Sequence, residues 1–371
     1  MAFYLIIYIL IIYFLFSQSS VRPIKSKYRL CIFASIGMIL LSGLRNETIG
    51  SDTYNYLMFF ERSASTSWSS IFNTFIYNYM NPDSGTMDVG KDPGFLVFEK
   101  FLSSISTNHQ FYLTVIAAFL VFSLSKFIYK FSPDLISAAF ALIYYLTFYW
   151  DYLPNSSIRQ ALALALIIPC YKLVSHKKII WCFVLIILAS TLHKSALFFL
   201  LFILIWKLGF VKSFFEFAII PFIALVYIGS TLGQYFVLFS EDYASYGYST
   251  MYDTIQRPYM FLIFETLVYI LIFVPLILGK ENEFEKYRIF YLGSALALLL
   301  SPTVLVDPAV LRIVAYFAVC NCILIPHSIK LYGLSLRRMI FIVLIGLFIF
   351  QTYLSAENYG FYWQKIEIKS K

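Results

Sequence analysis

YRLCIFASIGMILLSGLRNETIGSDTYNY, residues 28 to 56, begins as an apolar run and ends in a polar block that gathers Arg45, Glu47 and Asp52 beside Tyr54 and Tyr56. The apolar part is nearly the length at which a helix, rising 1.5 Å per residue, crosses a hydrocarbon core. Charge is costly next to lipid, so its abrupt return marks either the rim of a site or a capped helix end. Which of these holds depends on whether the run is a membrane span, and the rest of the chain answers that.

Of 371 residues, 60% are hydrophobic and 13% charged, and the mean hydropathy is +0.77. No soluble domain of ordinary composition looks like this. Apolar runs recur near 2–17, 29–44, 110–126, 135–150, 157–172, 178–192, 194–208, 213–233, 259–279, 288–304, 309–326 and 338–354. In lipid every backbone group must be satisfied within its own segment, so each run is expected as a helix. The first lacks a basic leader, and the SQSS that follows is a poor cleavage site, so it too reads as a span. The expectation is an all-α integral membrane protein of about twelve transmembrane helices, with residues 1–371 forming a single polytopic domain.

Lys and Arg set the orientation. Alternate connections carry Arg22, Lys25, Lys27 and Arg29; Lys126 and Lys130; Lys172, Lys177 and Lys178; Lys207 and Lys212; Lys280, Lys286 and Arg288; and Lys330, Arg337 and Arg338. These should face the cytoplasm, which places both termini outside. Seventeen of the 28 basic residues lie there, so the net charge of +8 calls for no nucleic-acid partner. The tail, with Lys365, Lys369 and Lys371, departs mildly from the rule.

On the outer side, residues 45–109 form the largest loop, with seven carboxylates against four basic residues. Within it WSSIFNTFIYNYM (68–80) and GFLVFEKFLSSIS (94–106) have the spacing of interfacial helices, and KDPGF (91–95) between them reads as a turn. A second outer loop, 234–258, is rich in Tyr, Ser and acids. No hydrophilic domain stands elsewhere, so chemistry is expected at the outer face. Cys31, Cys170, Cys182, Cys320 and Cys322 fall mostly within apolar helices, which argues against a disulfide framework or a metal site.

Ionisable residues collect at the outer ends of the spans: Arg45 with Asp52, Asp151, Arg159 with Gln160, His193 with Lys194, Arg257, and Asp307 with Arg312. Arg159 and Arg312 each follow a Pro-marked turn and enter the first turns of an apolar helix. A guanidinium there forks onto phosphate oxygens, and several such groups around one cavity suit a pyrophosphate. The other reading pairs each Arg with a nearby Asp for assembly. His193 sits in a tight connection between two apolar runs, where it serves as acid, base or hydrogen-bond donor, or caps a helical hairpin. Asp52 offers a base but equally fits an N-cap or Asx turn after Gly50. Glu47, Asp92 and Glu99 compete with it. Most of the 30 Tyr and 39 Phe belong to the interfacial belt and lipid-facing bulk. Those at 144–155 and 243–252 crowd the outer face, where rings stack on sugars.

Five stretches, GLRNETIGSDTYNYLMFF (43–60), DPGFLVFEKFLS (92–103), NSSIRQALALALI (155–167), LHKSALFFL (192–200) and LRIVAYF (311–317), occur in an order that resembles the EpsG family, within the broader group of Wzy-type polysaccharide polymerases. The most specific elements are Arg45-x4-Gly50-x-Asp52-x3-Tyr56 and Ser157-x-Arg159-Gln160. The likeness runs from about residue 40 to 320. It implies a membrane glycosyltransferase of GT-C-like architecture that polymerises undecaprenyl-pyrophosphate-linked repeat units into O-antigen or a related surface polysaccharide at the periplasmic face of the bacterial inner membrane.

On that resemblance the 45–109 and 234–258 loops are periplasmic, and the substrates are a lipid-linked glycan donor and acceptor. A chain-length regulator and a flippase are the expected partners, and no cofactor is required. Arg45, Arg159, Gln160, Arg312, Tyr56 and Lys194 would bind pyrophosphate and substrate, with Asp52 or His193 as base. A lipid-linked oligosaccharide flippase, a polysaccharide ligase and a membrane acyltransferase remain as alternatives. A flippase should line a path through the membrane with charge, and an acyltransferase needs an intramembrane His.

Overall fold

The computed structural model describes residues 23–50, 52–80, 92–150, 153–228, 258–280, 282–305, 311–355 and 359–364. The apolar run at 2–17, Asp151, residues 234–257, Asp307 and the basic tail lie outside the described residues. Within them the chain is helical, with no strand beyond one antiparallel bridge between Arg45 and Phe361. It packs as two compact units, one comprising residues up to 197 and from 343 onward, the other residues 198–342.

In the first unit the helices are α1 (Pro23–Gly43), α2 (Thr53–Ser65), α3 (Trp68–Met80), α4 (Pro93–Ile105), α5 (His109–Phe131), α6 (Leu135–Phe148), α7 (Ile158–Ser175) and α8 (Ile179–Leu192). Their boundaries have local causes. Asn108 accepts from Phe111 N at 2.9 Å to start α5, and Asp134 accepts from Ser137 N at 2.9 Å to start α6. Pro93 fills the first position of α4, where a missing N–H costs nothing. The expected turn at 91–95 is thus already helix from Pro93 on. Both stretches of the 45–109 loop with helical spacing fold as helices, α3 and α4.

Helix α1 runs along α5, α5 along α7, and α7 along α8. Hydroxyls stitch these apolar faces together: Ser35 Oγ lies 2.5 Å from Ser125 Oγ, and Ser123 donates to Ala165 O at 2.7 Å. Helix α4 packs on α2, α3 and α8. Gly94 sets the approach to α8, because a Cβ there would lie 2.1 Å from Thr191 Oγ1. A buried cluster of Tyr56, Leu57, Phe60, Phe95, Leu102, Tyr112, Leu113, Ile116, Ile158 and Leu162 joins α2, α4, α5 and α7. At its centre Phe60 stacks on Tyr112 with ring centroids 4.3 Å apart.

The second unit holds α9 (Phe199–Leu208), α10 (Val211–Phe217), α11 (Ile219–Ile228), α12 (Pro258–Ile277), α13 (Asn282–Leu300), α14 (Leu311–Ala318), α15 (Asn321–Leu331) and the start of α16 (Leu334–Ser355). Helix α13 packs against α10 and α14, and α12 against α15.

Among the described residues, four helical stretches are long and apolar enough to cross a membrane: His109–Phe131, Ile158–Ser175, Tyr259–Ile277 and Asn282–Leu305. Two bent pairs, Lys194–Leu208 with Val211–Phe217 at 117° and Arg312–Ala318 with Asn321–Leu331 at 47°, raise the number to six. The chain is therefore a helical membrane protein. The runs expected at 135–150 and 178–192 fold as helices of 14 residues each. That length, about 21 Å, is less than a hydrocarbon core requires without thinning or partner helices. The run expected at 309–326 is broken between Ala318 and Asn321. All five cysteines are buried free thiols.

Candidate functional site

Residues 43–56 fold back onto the turn that launches α7. Gly50 has φ +91, which favours glycine, and a Cβ on it would lie 1.9 Å from Asn155 O. Thr53 Oγ1 lies 2.8 Å from the same carbonyl and 2.6 Å from Ile49 O. Arg45 is 1% exposed. Its Nη1 donates to Ser42 O at 2.5 Å and to Ser42 Oγ at 2.8 Å, and Nη2 lies 3.4 Å from Thr53 Oγ1. Four residues after Asn155 comes Arg159, so the two most specific sequence blocks are one piece of framework.

Arg159 projects over two rings, its guanidinium carbon 5.4 Å from the centroid of Tyr56 and 5.3 Å from that of Phe95. The rings meet edge to face at 5.8 Å. Such a seat holds the cation by ring quadrupole as well as by charge. Nη1 lies 3.3 Å from Asp92 Oδ2. Asp92 occupies the N-cap position of α4 yet makes no side-chain cap hydrogen bond, because its oxygens are used elsewhere. Oδ1 accepts from the backbone N–H of Lys194 at 3.3 Å, and Oδ2 lies 3.6 Å from His193 Nδ1. The last distance is an electrostatic contact rather than a hydrogen bond.

His193 is placed by the end of α8. Its N–H closes that helix on Ala189 O at 2.9 Å, its own backbone is extended, and a 3-10 turn, Lys194–Phe198, follows. Chain reversal there leaves the Lys194 N–H without an intrahelical acceptor, and Asp92 supplies one.

Electrostatics separates the two buried carboxyls of α4. Burial pushes the Asp92 carboxyl up, but His193 and Arg159 outweigh it and hold Asp92 below the usual carboxylate range. Glu99, two turns along the same helix and 2% exposed, accepts from Tyr112 OH at 2.8 Å. Burial pushes it up to about 8, against the opposing pull of the Tyr112 hydrogen bond and the Arg159 charge. One helix thus presents an ionised carboxylate beside the guanidinium and a largely protonated acid deeper in.

The structure brings together Arg159, Tyr56, His193 and the backbone of Lys194; the Lys194 side chain is exposed. Asp52 stands at the N-cap position of α2, where its carbonyl accepts from Tyr56 N at 3.1 Å and its carboxylate makes no cap bond. Gln160 is 1% exposed on α7. Arg312 opens α14 in the second unit. Asp92, which holds the cluster together, entered the sequence reading only as a competitor of Asp52. Its signal was Asp-Pro-Gly, an acid set immediately before a helix-opening proline.

A second element without a sequence signal is the segment 359–364. Asn46 N donates to Gly360 O at 2.9 Å, Tyr362 N donates to Leu44 O at 3.0 Å, and Asn46 Nδ2 donates to Gln364 O at 2.9 Å. This C-terminal strap is zipped to the backbone on either side of Arg45, and the Tyr359 hydroxyl donates to Leu41 O.

The EpsG family model matches residues 28–365, which takes in every one of these pieces. The chain belongs to the EpsG family. Membership marks this EpsG protein as a polysaccharide-polymerase-like membrane protein, in keeping with the association of the family with Wzy-like polymerases. No curated protein and no solved structure matches the chain.

Proposed function

We propose that this EpsG protein is a Wzy-type glycosyltransferase of the bacterial inner membrane. It joins undecaprenyl-pyrophosphate-linked repeat units into O-antigen or a related surface polysaccharide at the periplasmic face. The observation that carries the reading is the seat of Arg159: a fixed guanidinium, backed by two rings, beside His193 and a backbone N–H. In this reading twelve helices cross the membrane, and α2, α3 and α4 form the periplasmic layer over the site.

The chemistry follows from the leaving group. The acceptor's sugar hydroxyl attacks the anomeric carbon of the donor as the bond from that carbon to the pyrophosphate oxygen breaks. The pyrophosphate leaves with the electron pair, and the hydroxyl proton passes to His193. A pyrophosphate is already a good leaving group, so stabilising its developing charge matters more than protonating it. A preorganised cation in a partly dry site does so without reorganising at the moment of reaction. The position of His193 beside the Arg159 seat favours it over Asp52 as base, since the anion held in that seat stabilises the imidazolium that forms. Arg45 supports the site by fixing the turn under Arg159.

The test is deletion of the gene in a host whose surface polysaccharide runs as a ladder on a gel. The ladder should vanish while the single-repeat band remains, because units are still made, flipped and ligated. Loss of the single-repeat band as well would indicate a flippase or ligase, and an unchanged ladder would contradict the proposal.

A further inference from the structure

Asp92 stands where an N-cap belongs and does not cap. Its carboxylate instead fills the focus of three groups from two other elements: Arg159 Nη1 at 3.3 Å, Lys194 N at 3.3 Å and His193 Nδ1 at 3.6 Å. A guanidinium, a backbone amide and an imidazole converging on one point are the donor set with which proteins hold a phosphate. All three distances exceed the 2.7–2.9 Å of a well-made charge-assisted bond. Donor capacity is also left over, since Arg159 Nε is buried without a hydrogen-bond partner. One carboxylate, with two oxygens and one charge, underfills the seat. A phosphate group, with more oxygens and more charge, would fill it.

Building on the glycosyltransferase reading, we propose that Asp92 is an internal stand-in for substrate: in the substrate-free protein it occupies the seat of a donor phosphate, and the phosphate displaces it. The displaced carboxylate has a place to go. The first-turn N–H groups of α4 are those an Asp at this position ordinarily caps, so leaving Arg159 for the helix end exchanges one set of donors for another. The resting contact keeps Arg159 from other anions and keeps its guanidinium aimed. The closed and open forms differ by the rotation of one side chain, with no movement of a helix required.

The test is binding of inorganic pyrophosphate to the full-length protein in nanodiscs, by calorimetry. Asp92→Asn and Asp92→Ser both remove the competing charge while retaining a good N-cap, so α4 keeps its start. Each should bind pyrophosphate more tightly than the wild type by on the order of tenfold. Asp92→Glu should stay near the wild-type affinity, and adding Arg159→Ala should abolish binding in every background. Equal or weaker binding by both neutral variants would overturn the proposal, as would binding that ignores Arg159. The measurement needs no turnover, so it separates two failures. If Arg159→Ala stops polymer formation but the Asp92 variants bind no better, the stand-in role falls and the enzyme reading stands. If the Asp92 variants bind more tightly but Arg159→Ala still makes polymer, the seat is real and its catalytic assignment is wrong.

Discussion

At the scale of single residues, the site is a contest between charges that share little water. Arg159 is held by Asp92 and two rings, and Glu99 lies beneath them with its proton retained to about pH 8. The folded pKa of Glu99 is raised above the ordinary 4.5, so the folded protein binds more protons than the unfolded chain between those values. Its contribution is favourable below about pH 4.5 and is lost as the pH rises through about 8. Glu99→Gln mimics the protonated acid and still accepts from Tyr112. Its melting temperature should therefore fall less than the wild type's from pH 5 to 8; identical slopes would contradict the burial argument. For His193, replacement by Ala should lower the polymerisation rate by about 10²–10⁴-fold, as expected for a base. An unchanged rate would return the role to Asp52.

At the scale of elements, much of the site was legible because its local rules are local. Arg45, Gly50, Asp52, Arg159 and His193 stand out wherever charge or glycine interrupts apolar sequence. What could not be read was which distant neighbours meet. Which carboxylate meets His193 and Lys194 is decided by the packing of α4 on α8, which depends on Gly94 lying against Thr191. Neither position carries charge, and nothing in their spacing announces a pair. Gly94→Val should thus push α4 off α8 and shift Phe95, one of the two rings under Arg159, away from His193 and Lys194, costing activity far from any reacting atom. Phe60→Ala, which empties the centre of the buried cluster, should destabilise this layer by about 3–5 kcal/mol in a denaturation series. Activity fully kept in the Gly94 variant would show that the α4 to α8 approach does not position the site.

At the scale of the whole molecule, composition gave the membrane class at once, because so apolar a chain has no other stable home. Span number was harder. Periodicity is silent in helices apolar on every side, and bends such as that between Ala318 and Asn321 cut one apolar run into two helices. The strap at 359–364 had no signal at all, since a backbone bridge between residues more than 300 positions apart leaves no trace in composition. Truncation after residue 355 should free the backbone around Arg45 and sharply reduce polymer formation while insertion into the membrane is unaffected. Orientation is checked with reporters: alkaline phosphatase fused after Lys371 should be active and a fluorescent protein at the same place dark, the reverse of a cytoplasmic terminus.

The most direct measurement is complementation of the deletion strain with Arg159→Ala, alongside Arg159→Lys, each verified by immunoblot as inserted at wild-type level. With Arg159 stabilising the leaving pyrophosphate, Ala should lower polymerisation by about 10²–10³-fold, leaving single repeats. Lys, a point charge without the fork or the ring stacking, should restore a partial ladder of short chains. A full-length ladder from Arg159→Ala would contradict the account at its centre.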